Sequence, residues 1–88
     1  MPLQGRKHKR TEQMRANPAG DRSIADIRAV CDVHDVILRP PSGGSHYKVT
    51  HESQAEILTI PARRPIKAIY IKKLIRFINA VKDSNHET

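Results

Sequence analysis

His46 is the residue of this sequence whose type and surroundings best suit chemistry. It follows Gly44-Ser45 and precedes Lys48 by two positions. Histidine accepts or donates a proton near neutral pH, and a lysine beside it can stabilise charge that develops on a phosphate. Because RNA carries its own nucleophile, the 2′-OH, its cleavage needs only a proton acceptor, a proton donor and charge stabilisation. The pattern makes His46 a candidate for acid–base chemistry, with Lys48, His51 or a water molecule as alternative proton donors. A hydrogen-bonded strand histidine without a catalytic role is the alternative interpretation.

Basic side chains that precede the last apolar stretch form a second group of candidates. Arg63, Arg64 and Lys67 surround Pro65 and can neutralise phosphates that flank a scissile bond. Ordinary solvated charge is the alternative interpretation for each of them. Three cations further along the chain are interpreted as the polar face of a helix: Lys72, Lys73 and Arg76.

Other residue types that carry chemistry have simpler interpretations. The single cysteine, Cys31, excludes an internal disulfide and a multi-cysteine zinc site. Cys31 and His34 have helical i,i+3 spacing, but two ligands do not make a zinc site, so we expect Cys31 to pack in the core. Ser45 lacks a nucleophile-elbow context, so it either caps a turn or contacts substrate. Gly43 and Gly44 are expected to adopt positive φ in the hairpin. A phosphate-binding P-loop is the less favoured interpretation, since no Lys-Ser/Thr follows the two glycines. We therefore expect a reaction without metal or small-molecule cofactor.

The charge balance indicates a polyanionic partner. The 88 residues include 16 Lys and Arg against 9 Asp and Glu, a net charge of +7. Nucleic acid, an acidic membrane surface or an acidic protein would fit this balance. No apolar run approaches the ~20 residues that span a bilayer. Because no apolar stretch follows the basic N-terminal residues, we do not expect them to be a secretory signal. We expect a cytoplasmic protein whose partner is RNA rather than a membrane.

The elements that must position these residues follow from periodicity. Ser23 and Asp26 have capping-box spacing, and the apolar positions after them predict a helix over about 22–34. Short strands are predicted at 36–39, 45–50 and 56–60, with proline, glycine or polar residues between them. A final amphipathic helix follows Arg63-Arg64-Pro65; its apolar face comprises Ile66, Tyr70, Leu74, Phe77, Ile78 and Val81.

This order of elements predicts the fold class and the domain limits. The expected class is α+β, of the double-stranded-RNA-binding type α-β-β-β-α, with a three-stranded antiparallel sheet and two helices on one face. The domain is expected over 21–83. Residues 1–20 are interpreted as a basic tail with room for a short helix at 9–16, and residues 84–88 as a C-terminal tail. Tyr47 is the one aromatic residue on a strand, on its apolar side, so contacts to RNA should be mostly to the backbone.

Several motifs together resemble a known family. Gly44-Ser45-His46 opens a strand and is followed by Leu58-Thr59-Ile60-Pro61, then by Arg63-Arg64-Pro65-Ile66-Lys67 and a lysine-rich amphipathic helix. This arrangement resembles the HicA toxins over about residues 21–82. The resemblance implies an mRNA interferase of a type II toxin–antitoxin system, with His46 as the catalytic residue.

The same resemblance implies partners and further site residues. It implies an mRNA substrate and a HicB-type antitoxin protein that covers the active face. Gly44, Ser45 and Lys48, together with the 63–67 cluster, are the residues expected to contact RNA. Two alternatives remain: a non-catalytic module that binds structured RNA by shape, and an interaction subunit whose basic tail docks on an acidic protein.

Overall fold

The structure is a computed structural model that describes the backbone of residues 8–86 and the side chains of residues 8–84. Helix α1 spans Lys9–Ala16 and helix α2 spans Ile24–Val33. Three strands follow: β1 (Ile37–Arg39), β2 (His46–His51) and β3 (Gln54–Pro61). Helix α3 (Ala68–His86) ends the described chain. The strands form one antiparallel sheet in the order β1-β2-β3, which confirms the expected α+β class.

One face of the sheet is built from alternating apolar side chains. Val49 on the central strand lies opposite Leu38 on one side and Leu58 on the other. Tyr47 lies opposite Ile60 one row away. Val49, Leu58 and Ile60 are buried, while Leu38 and Tyr47 are partly exposed. This period-2 alternation is what the sequence predicts for a half-buried sheet.

The hairpin between β2 and β3 is tighter than the sequence predicts. His51 pairs with Gln54, so only Glu52 and Ser53 form the loop. The backbone N–H of Ser53 donates to Nδ1 of His51 over 3.0 Å. Polar side chains at the exposed end of a hairpin do not prevent backbone pairing, which is why β3 begins two residues before the predicted position.

Helix α3 supplies the largest share of the core. Leu74 and Ile78 are fully buried, as the helical periodicity predicts. Ile66 is also buried, but it precedes the helix, because its backbone N–H donates to the carbonyl oxygen of Arg22 over 2.8 Å. The helix therefore begins at Ala68. It continues to His86, through the first residues of the predicted C-terminal tail.

Helix α1 is part of the packed domain, whereas the sequence placed it in a tail. It contacts both α2 and α3, and its Met14 is 0% exposed within the core. The guanidinium of Arg22 donates to the carbonyl oxygens of Asn17 (2.6 Å) and Gln13 (3.1 Å), which ties the end of α1 to the start of α2. Only Thr11 and Met14 of this helix are buried, so the sequence has no apolar stripe that would reveal the packing.

The N-terminus of α2 has the predicted cap. The carboxylate of Asp26 accepts the backbone N–H of Ser23 over 2.9 Å, completing a capping box. This arrangement satisfies backbone groups that a helix end otherwise leaves without partners.

The C-terminus of α2 gives a stability prediction. Asp35 adopts φ 57°, and the next N–H, of Val36, donates to the carbonyl oxygen of Cys31 over 2.9 Å. Glycine adopts this left-handed conformation without strain. Asp35→Gly should therefore raise the free energy of unfolding by about 0.5–1 kcal/mol. The control Asp32→Gly, inside α2, should lower it by about 1 kcal/mol. Urea denaturation measures both, and a loss of stability in Asp35→Gly would contradict the assignment.

His34, at the C-terminus of α2, contacts α1 and should make the free energy of unfolding depend on pH. Nε2 of His34 lies 2.9 Å from the hydroxyl of Thr11. Burial, and then the positive charges of Lys82, His8 and Arg15, lower the pKa of His34 from 6.5 to about 4. The folded protein thus binds fewer protons at this site than the unfolded chain does, so stability should fall as pH drops from about 6.5 towards 4.

The test compares unfolding of the wild type and His34→Gln in urea at several pH values across this range. Carboxylates titrate in both proteins, so the difference between the two curves isolates the contribution of His34. We expect a shallower pH dependence in the variant, and identical slopes would contradict the role assigned to this histidine.

Candidate functional site

His46 lies on the open face of the sheet, at the start of the central strand. Its side chain is exposed, and Lys48 lies two residues further on the same face. Arg39 at the end of β1 is the cross-strand partner of Lys48. All three line a shallow cleft of about 310 Å³, whose other wall is the loop from Pro40 to Gly43. The structure thus brings a histidine and two cations to one solvent-accessible place.

Arg39 is the member of this group that the sequence analysis did not identify. In the sequence it is the last residue of a strand and is separated from Lys48 by a proline- and glycine-rich loop. The antiparallel register, which pairs Arg39 with Lys48, is what brings it to the cleft. The sequence did contain one indication of this position. Side chains alternate along a strand, so Arg39 should lie with Ile37 on the face of β1 opposite to the one that carries Leu38.

The residues just before His46 shape the backbone. Gly44 has φ 128°, a conformation that side-chain-bearing residues rarely adopt, whereas Gly43 does not have positive φ. The carbonyl oxygen of Ser45 accepts the N–H of Ala62 over 2.8 Å, which extends the β2–β3 pairing past His46. Both Gly44 and Ser45 are exposed beside His46, and neither of them lines the cleft.

The basic segment 63–67 borders a second, larger cleft. Its volume is about 520 Å³, and Arg63, Arg64 and Lys67 line it together with Pro61, Pro65 and Tyr70. Pro61 is the cross-strand partner of His46. Directly opposed residues in an antiparallel pair have their Cα atoms about 4.5–5.5 Å apart and their side chains on one face. The two clefts are therefore neighbours, because His46 of the first is paired with Pro61 of the second.

The cations around the second cleft are not equivalent. Nε and one terminal nitrogen of Arg64 each donate to the carboxylate of Asp21 over 3.1 Å. The hydrogen bonds that Arg64 donates hold the pKa of the Asp21 carboxyl below its usual value. Among the side chains that the structure describes, Arg63 and Lys67 have no carboxylate within ion-pairing distance. Arg64 therefore positions the segment, and Arg63 and Lys67 remain available to an anionic ligand.

The structure separates His51 from the candidate site. His51 lies at the opposite end of β2, roughly 16 Å from His46 along the strand, and its ring accepts a hydrogen bond in the hairpin loop. A proton donor at that distance cannot serve the same phosphate as His46. Of the donors that the sequence left open, Lys48 and a water molecule remain.

Cys31 is placed where the sequence predicts it, in the core. It is fully buried, and burial raises the pKa of its thiol to about 12, which makes the thiol unreactive. Within the described residues, no three His, Cys, Asp or Glu side chains are grouped so that they could hold a metal ion.

Among the helices that the structure describes, none has both the length and the apolar character that a membrane span requires.

Fold and site together define a small α+β protein with a basic, histidine-bearing face on its sheet. No family model, curated protein or solved structure matches this chain. The function must therefore be inferred from the geometry and from the sequence motifs.

Proposed function

We propose that this chain is a HicA-like toxin, an endoribonuclease that cleaves mRNA in a type II toxin–antitoxin system. The observation that carries the proposal is the cleft where exposed His46 lies beside Lys48 and Arg39 on the open sheet face. A general base and two cations are the groups that cleavage by the substrate's own 2′-OH requires. The motif resemblance around Gly44-Ser45-His46 supports the same assignment.

In the proposed reaction His46 accepts the proton of the 2′-OH. The 2′ oxygen attacks the adjacent phosphorus, and the 5′ oxygen of the next nucleotide leaves with a proton from Lys48 or from water. Arg39 and Lys48 stabilise the negative charge that increases on the phosphate in the transition state. Arg63 and Lys67 hold neighbouring phosphates, which positions the strand but reads no sequence.

The proposed partner is a HicB-type antitoxin that covers this face. A chain with a net charge of +7 and an acidic cover would associate rapidly through electrostatic steering. Both proteins would act in the cytoplasm, where the mRNA substrate is found.

One observation favours a second candidate, a module that binds RNA without cleaving it. Among the described residues, no side chain hydrogen-bonds the ring of His46 to orient it, as partners commonly do for catalytic histidines. In this alternative, Lys48, Arg39 and the 63–67 segment bind phosphates, and His46 is an ordinary strand residue. Binding would then be sensitive to salt and would not depend on His46.

Inducible expression of the wild type and of His46→Ala distinguishes the two candidates. Growth arrest and fragments of a reporter mRNA, both confined to the wild type, are the results expected of the toxin. Arrest by a folded His46→Ala protein would remove His46 from the mechanism. Intact mRNA in both strains, with RNA bound by the purified protein, would establish the binding module.

A further inference from the structure

The cleft beside the basic segment has a mixed lining that fits a particular kind of ligand. Pro61, Pro65 and Tyr70 are the lining residues that carry apolar groups. Arg63, Arg64 and Lys67 add positive charge to the lining, and of these Arg64 is paired with Asp21. A volume of about 520 Å³ is within the range of small-molecule sites. A ligand that suits this lining has a planar aromatic body joined to a negative charge, which is the chemistry of a nucleotide.

Tyr70 is held in place by its position in the fold. It lies in the first turn of α3, where its N–H donates to the carbonyl oxygen of Lys67 over 2.9 Å. The side chain is half-buried and packs against the core, and the Lys73 ammonium lies 6.0 Å from its ring centroid. A ring fixed in this way loses little conformational freedom when a nucleobase stacks on it.

The location of the cleft ties it to the proposed reaction centre. Pro61 lines this cleft and is the cross-strand partner of His46, which lines the 310 Å³ cleft, so the two clefts are one residue pair apart. A strand whose scissile phosphate lies at His46 would pass over Pro61 to reach Tyr70. The adjacent nucleotide is therefore the one that this cleft can receive.

We propose that this cleft binds one unstacked nucleotide of single-stranded RNA, with its base against Tyr70 and its phosphate on Arg63 and Lys67. The inference rests on the proposed action on RNA and specifies the substrate class. A base within a duplex is stacked and paired, and so cannot enter the cleft. The substrate is thus a single strand or loop rather than double-stranded RNA recognised by its shape.

The test measures binding of a short fluorescein-labelled 2′-O-methyl RNA, which has no free 2′-OH and cannot be cleaved. Tyr70→Leu retains apolar volume but removes the ring, and we expect it to weaken binding about tenfold or more. Tyr70→Phe retains the ring and should bind as the wild type does. A duplex of the same sequence should bind the wild type more weakly than the single strand.

A second measurement uses the wild-type protein and needs no substitution in the cleft. The chain has two tyrosines, so selective labelling gives two sets of ring signals, which Tyr47→Phe assigns. Addition of the single strand should shift the Tyr70 ring signals upfield and leave those of Tyr47, on the core face of the sheet, in place. This result would support the subsite even if Tyr70→Leu failed to fold.

The outcomes separate this inference from the proposed function. Wild-type binding by folded Tyr70→Leu, equal binding of the duplex, or unmoved Tyr70 signals would each overturn the nucleotide subsite, whether or not the protein cleaves RNA. Tyr70-dependent binding by a protein that cleaves no RNA would leave the subsite standing and overturn only the endoribonuclease.

Discussion

Replacement of His46 by alanine should lower the rate of RNA cleavage by the purified protein by roughly 10²–10⁴-fold. The reason is the loss of the group that accepts the 2′-OH proton, while Arg39 and Lys48 remain to bind the phosphate. Cleavage of a labelled single-stranded RNA under single-turnover conditions measures the rate. Binding of the 2′-O-methyl analogue should change little, because the cations that hold the strand are retained.

The fold of this variant should be intact. His46 is exposed, and no described side chain depends on its ring for a hydrogen bond. Surface substitutions of this kind usually change stability by less than about 0.5 kcal/mol. A urea denaturation curve like that of the wild type would assign the loss of rate to chemistry rather than to unfolding.

His51→Ala is the matched control on the same strand. His51 is remote from the cleft, so its loss should leave the rate of cleavage within about twofold of the wild type. Equal losses in His46→Ala and His51→Ala would contradict the site described above. A full rate in folded His46→Ala would exclude His46 as the proton acceptor.

Replacement of Met14 by alanine should lower the free energy of unfolding by about 2–5 kcal/mol. Met14 is 0% exposed and belongs to the same core cluster as Leu74 and Ile78. Truncation removes apolar contacts and leaves a cavity between α1 and the rest of the domain. For a domain of this size, such a loss is a large share of the total stability. Chemical denaturation monitored by circular dichroism measures it.

Gln13→Ala is the control for this prediction. Gln13 is exposed, and the hydrogen bond from Arg22 goes to its backbone carbonyl, which the substitution retains. Its effect should stay within about 0.5 kcal/mol. A Met14→Ala protein as stable as Gln13→Ala would contradict the packing of α1 in the core.

The packing of α1 also changes how the interaction-subunit alternative must be tested. Deletion of residues 1–20 would remove the tail and a core helix together, because Met14 lies in the deleted segment. Loss of partner binding after that deletion would therefore follow from unfolding as readily as from loss of the basic charges. Neutralising Lys9 and Arg10, both exposed on α1, tests the charges while retaining Met14.

In the proposed enzyme, the two clefts would have different functions. The His46 cleft would perform the chemistry, and the cleft beside Tyr70 would hold the adjacent nucleotide in register with it. The Arg64–Asp21 pair ties the segment between them to the residues that precede α2. Substrate position would then depend on a loop that this ion pair ties to the rest of the domain.

Local features of the sequence determined the class of fold and the central residue of the candidate site. The capping box at Ser23 and the alternation around Val49 depend on neighbours within a few positions, so their structural consequences can be read along the chain. The placement of His46 and Lys48 on one exposed face follows from the same period of two.

Tertiary structure alone decided the packing of α1, the cross-strand pairs at the candidate site and the partner of Arg64. The sequence left α1 in a tail because only two of its residues, Thr11 and Met14, are buried. The helices that α1 contacts lie further along the chain, and α3 begins only at Ala68. Strand register brought Arg39 to Lys48 and Pro61 to His46. The engagement of Arg64 by Asp21 joins residues 43 positions apart. Contacts between residues so far apart leave no periodic pattern in the sequence, because they form only when the elements pack together.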